Sequence, residues 1–242
     1  MPEEIEQVKQ LIGFTQKQLE SMYRFSPGKK AIDFLVSKEH YRYILGMRDY
    51  HNRDTDKVNG CVMLFYKDDP EFQHVEKYGM YGIMFFLEDY TIEKLLQNNP
   101  LQYIGPENYH AYMTMVEETS HAFCLMTNIT RERQLSLFEI ELQASIDKFL
   151  LTVVNVARIN RGAIPKGYLD IYINDSVELI GEVSPELWNR LKDANYYSSI
   201  FCKFLIRNYL LGRKSKKQMK QKINYFYHGT RSRKMELIGR SI

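Results

Sequence analysis

Residues 106–150 read PENYHAYMTMVEETSHAFCLMTNITRERQLSLFEIELQASIDKFL, and the fold follows from how this stretch is parsed. Advancing about 100° per residue from Tyr112 brings Val116, Thr119, Phe123 and Met126 within about 40° of it, the apolar stripe of an amphipathic helix. Opposite that stripe, His110, Thr114, Glu117 and His121 form a polar ridge, with Glu118 one step to the side. A second stripe, Leu135, Phe138, Leu142, Ile146 and Phe149, defines another helix, flanked by Glu139 at about 60° and by Glu141 at about 100° on the other side. The spacing predicts helices over 107–126 and 132–156, broken at Thr127-Asn128-Ile129-Thr130, with Thr130 capping the second.

Upstream, Ile5, Val8, Leu11, Ile12, Leu19 and Met22 fall at helical spacing, and Ser26-Pro27-Gly28 interrupts the pattern. Residues 31–36 begin a short helix leading into a Tyr-rich stretch, where His40 and His51 read as surface histidines. Residues 61–66 and 81–87 are short, aromatic and apolar, so they read as strands, and the polar connection 67–80 reads as a solvent-exposed loop. Thr91 is placed to cap a short helix over 92–97.

Downstream, 159–167 reads as a loop, and 168–174 as either a strand or a surface helix. Ser184-Pro185-Glu186 is a helix start, with a hydroxyl cap, proline in the first helical position and an acid in the first turn. That helix should run to about Leu211, with Gly212 as terminator. A basic amphipathic segment over 213–242 has Met219, Ile223, Phe226, Met235 and Ile238 on its apolar side. The expected fold is therefore α+β and mainly helical, with a small β-sheet of two or three strands packed against a multi-helix bundle. Residues 1–200 form the helical domain and 201–242 a basic helical segment packed on the same domain.

The 242 residues are 44% hydrophobic, enough to bury a substantial core. Acids rather than Lys or Arg lead the N-terminus, and the longest nearly apolar run, 149–157, is too short to span a bilayer. Three widely spaced cysteines, Cys61, Cys124 and Cys202, suggest neither a disulfide framework nor a Cys-rich zinc site. A soluble protein of the reducing cytoplasm is expected, with no membrane partner. The net charge of +3 conceals an asymmetry, because 201–242 carries twelve Lys and Arg against Glu236 alone.

Zinc and iron accept both carboxylate oxygen and imidazole nitrogen, and two ligands four residues apart on one helix fix two corners of a coordination sphere. Glu117 and His121 have that spacing, and Glu139 or Glu141 is positioned to supply a third ligand from the next helix. The same pair also suits a plain hydrogen-bonded couple on a solvated helix face. Strands followed by a helix with Glu118-x-x-His121, then a helix offering Glu141-Leu-Gln-Ala144, resemble the core of the gluzincin metallopeptidases over about residues 60–150. The resemblance implies that His121 matches the second His ligand, Glu118 the general base and Glu141 the third ligand, with a divalent metal, zinc or alternatively iron or manganese, as cofactor. It further implies a peptide or protein substrate. Two positions depart from the family pattern: Glu117 replaces the first His ligand, and Ser145 stands where an Asp would follow Ala144.

A non-enzymatic reading stands beside it. Arg213, Lys214, Lys216, Lys217, Lys220 and Lys222 precede Tyr225-Phe226-Tyr227, so a helical body could present this segment to nucleic acid or an acidic protein. Phosphate-binding glycine motifs and the RNP, zinc-finger and KH patterns are absent.

Overall fold

A computed structural model describes residues 2–47, 58–165, 185–212 and 214–241. The strand or helix expected over 168–174, the Ser184 cap, His51 and Arg213 lie outside the described residues. The chain divides into two compact units: Met1–Lys17 with Ser26–Gln134, and Gln18–Phe25 with Leu135–Ile242. Residues 201–241 belong to the second unit, and the described helices include none long and apolar enough to cross a membrane.

The first unit takes most of helix α1 (Pro2–Tyr23), a 3-10 turn (Ala31–Phe34), α2 (Lys38–Met47), strands β1 (Gly60–Phe65), β2 (Glu76–Tyr78) and β3 (Tyr81–Leu87), α3 (Asp89–Gln97) and α4 (Tyr109–Thr130). The sheet is antiparallel in the order β1-β3-β2, with Val62 opposite Phe85, and Tyr78 opposite Tyr81. Strand β3, with Ile83 to Leu87 all buried, is its centre, and α4 lies against β1 and β3. Tyr41 stacks flat on Phe86, centroids 4.0 Å apart, in a core shared with Ile44, Phe65, Phe72 and Met84.

The connection 67–80 is not the solvent-exposed loop expected from its polarity. Pro70–His74 form a 3-10 turn that buries Phe72, Val75 is buried, and Glu76–Tyr78 pair with β3. Gly79-Met80 is then a two-residue hairpin turn, with Gly79 at φ 63°, a conformation glycine adopts without steric cost. Helix α3 also starts earlier than expected: Glu88 caps it, and Thr91 is buried with its hydroxyl on Asn59 O at 3.1 Å.

The break expected at 127–130 is absent, since α4 continues to Thr130. Thr127 Oγ1 and Asn128 Nδ2 each donate to the carbonyl four residues back, at 2.7 Å, so side chains that often end helices here bond within one. The cap of the next helix, α5 (Leu137–Ile159), is Ser136, in a reciprocal capping box with Glu139.

In the second unit α5 packs along α6 (Pro185–Leu205), which ends in a π-helical turn (Ile206–Leu210) and is followed by α7 (Lys216–Tyr227) and α8 (Arg231–Gly239). Ser215 and Thr230 cap the last two. The C-terminal turns of α1 supply Tyr23, which stacks on Tyr227 at 3.8 Å. A fully buried polar chain runs from Tyr23 Oη to Asp147, to Gln143 Nε2 and, through Gln143 Oε1, to Lys234 Nζ at 3.2 Å.

Candidate metal centre

Helix α4 carries its predicted stripe as expected: Tyr112, Val116, Thr119, Phe123 and Met126 are all buried. The opposite ridge is graded. His110 is exposed, edge-on to the Tyr109 ring, whereas Thr114, Glu117 and His121 are half-buried. Glu117 and His121 each offer a ligand atom, and these lie within 4.8 Å of each other, as two side chains one helical turn apart permit.

Glu118 lies beside them but faces differently. It is buried, and its Oε2 stands 3.4 Å from His121 Nδ1, a long hydrogen-bond contact. Gly60 of β1 makes room for it, because a Cβ there would come 3.0 Å from Glu118 Cγ and 2.9 Å from Thr114 Cγ2. Burial first, and then the Glu118 charge, push the Cys61 thiol up to about 12. The Tyr41 phenol, hydrogen-bonded to that thiol, is raised beyond its ordinary range, mainly by burial and then by Cys61 and Glu118. A thiol and a phenol held neutral this way are not nucleophiles at neutral pH.

Gly60, Cys61 and Tyr41 are therefore neighbours of Glu118 that the linear pattern did not single out. The one local signal was a glycine at the head of a strand, which often marks close approach of another element.

Glu139 and Glu141 both belong to the second unit, on α5. Glu139 is buried, and its Oε2 accepts from Ser136 N at 3.2 Å and Ser136 Oγ at 3.1 Å, so its carboxylate serves the start of the helix. Glu141, on the opposite flank of the α5 apolar stripe, is half-buried. Cys124 is buried, with Asn128 Nδ2 3.8 Å from its sulfur, a packing role rather than an activated thiolate. In the basic segment, Lys214, Lys216, Lys217 and Lys220 are exposed and Lys222 is half-buried.

Comparison with protein families, with characterised sequences and with solved structures finds no match.

Proposed function

We propose that the chain is a zincin-like metalloprotein that holds one divalent cation, zinc or alternatively iron or manganese, through Glu117 and His121 of α4, with Glu141 as the third ligand that the resemblance implies. The observation that carries this reading is the Glu117 and His121 pair, half-buried on one edge of α4 with ligand atoms within 4.8 Å. As that third ligand, Glu141 would complete a set of one imidazole and two carboxylates. That donor chemistry suits zinc, iron or manganese, and its two negative charges balance a divalent ion.

Within this reading Glu118 can act in two ways that experiment separates. The resemblance gives it the part of a general base, for which a bound divalent ion would supply an acidified water. Its contact with His121 Nδ1 instead suits a carboxylate that fixes the tautomer and orientation of a ligand imidazole.

Metal content of protein purified without chelator is the decisive measurement. One equivalent of zinc, iron or manganese is expected, lost in a Glu117→Gln, His121→Ala double variant, with a thermal midpoint raised by adding that metal to the wild type only. Absence of metal together with an unmoved midpoint overturns the reading. Glu118→Gln then divides the roles: a base leaves metal affinity intact and abolishes hydrolysis of a peptide library, whereas an orienting carboxylate weakens metal affinity by about 10- to 100-fold.

A further inference from the structure

The end of α6 is built in an unusual way. After Leu205 the chain makes a π-helical turn over Ile206–Leu210, a wider turn that recurs at functional positions. It closes through Gly212, where a Cβ would come 2.4 Å from the carbonyl oxygens of both Arg207 and Asn208, so no larger residue fits without moving backbone. Lys214 N then donates to Asn208 O at 3.2 Å, and Ser215 starts α7 with its capping box to Gln218.

This turn sets two rings beside two ammonium groups. Phe204 and Tyr209 meet edge to face, with centroids 6.0 Å apart. Lys214 Nζ lies 5.8 Å from the Phe204 centroid and 5.6 Å from that of Tyr209, while Lys222 Nζ lies 5.2 Å from Phe204. Two like charges thus share one ring. Burial and then the charges of Lys214, Arg240 and Arg233 hold the Lys222 ammonium below its ordinary value. Glu236 is the sole acid from residue 214 onward, against nine Lys and Arg, and it already pairs with Arg233 and Arg240. Nearby, the Arg233 guanidinium lies 5.1 Å from the ring of Tyr225, which is 48% exposed, and Arg233 Nε donates to the Tyr225 hydroxyl at 2.6 Å.

A face of crowded cations with so little carboxylate favours an anionic partner. Which anion is decided by the rings. Cations interleaved with partly accessible aromatic faces fit alternating phosphates and unpaired bases. The carboxylates of an acidic protein give Tyr209 and Tyr225 no extended ring to stack on, and among the described residues of this segment a lipid surface would meet one exposed large aliphatic side chain, Leu211. We propose that this face of the second unit binds single-stranded nucleic acid, with phosphates on Lys214 and Lys222 and bases on Tyr209 and Tyr225. The site is independent of the cation reading above.

Fluorescence anisotropy of the full chain with a labelled 20-nucleotide oligouridine tests it. Saturable binding is expected, weakening by about sevenfold between 50 and 200 mM salt for the two phosphates contacted. Lys214→Glu, at an exposed position, should weaken binding at least about tenfold, and Tyr225→Ala by about fivefold or more, since each stacked base contributes through its ring. Far-UV circular dichroism melts check that both variants remain folded. No saturable binding at 50 mM salt overturns the proposal, as does binding indifferent to both substitutions. Binding that responds to Lys214→Glu but not to Tyr225→Ala, matched by phosphatidylserine vesicles or polyglutamate, also overturns it, because the face would then read charge alone.

Discussion

Glu118 of α4 and Gly60 of β1 lie so close that a Cβ on the glycine would stand 3.0 Å from Glu118 Cγ. An unhindered Gly to Ala change stabilises by about 0.4–1 kcal/mol, through a less flexible unfolded chain. Here the added methyl also meets Thr114 Cγ2 at 2.9 Å and Leu87 Cδ2 at 3.0 Å, which reverses the sign. Gly60→Ala is expected to lower stability by about 1–3 kcal/mol in a urea melt, the range for overpacked cores. A raised midpoint would show that helix and strand have room between them.

The buried polar chain in the second unit makes a separate forecast. Tyr23→Phe keeps the ring that stacks on Tyr227 but deletes the hydroxyl that bonds to Asp147 and accepts from Gln143 at 3.0 Å. Asp147 and Gln143 are both fully buried, so water cannot replace that hydroxyl freely. A loss of about 1–3 kcal/mol is expected. Guanidinium unfolding of the two proteins, compared at equal slope, is the check.

Ser136→Ala removes the acceptor for Glu139 N at the head of α5, and should cost about 0.5–2 kcal/mol. Because the Glu139 carboxylate serves this cap, Glu139→Gln should leave metal stoichiometry unchanged, while Glu141→Gln should reduce it. Equal metal loss in the two variants would contradict that assignment.

Cys61 gives a pH dependence with a definite sign. Its thiol is raised from about 9 to about 12 in the folded chain, so between those values the unfolded chain has lost a proton that the folded chain keeps. The contribution is fully present below about pH 9 and is lost as pH rises through about 12. Cys61→Ser, whose hydroxyl does not titrate there, should show a shallower fall in stability between pH 9 and pH 11. In the native chain, disulfide-exchange reagents should modify Cys61 slowly at pH 8 and rapidly only in denaturant.

Much of the helical layout was legible because burial imposes a period on the sequence. The Tyr112 to Met126 stripe is buried as its spacing indicated, and on the apolar side of the last two helices Ile223, Phe226 and Ile238 are buried while Met219 and Met235 are half-buried. Three places resisted. Glu76–Tyr78 is too short and polar to carry an alternation, and becomes a strand only because β3 offers an open edge. Thr127 and Asn128 look like helix enders until their side chains bond back to the preceding turn. Ser136, not Thr130, caps α5: Glu139 three residues on accepts from the Ser136 N–H, which Arg133 after Thr130 cannot do, a local capping-box signal masked by the apolar stripe that begins at Leu135.

For the candidate site, sequence alone determined that Glu117 and His121 share a helix edge, because the rise and turn of an α-helix fix side chains four residues apart whatever surrounds them. Tertiary structure decided what Glu118 does. One position along the helix turns it by about 100°, and only the arrival of β1, with a glycine at the point of contact, sets its carboxylate against His121 beside Cys61 and Tyr41. That approach joins residues far apart in the chain, and no local spacing encodes it.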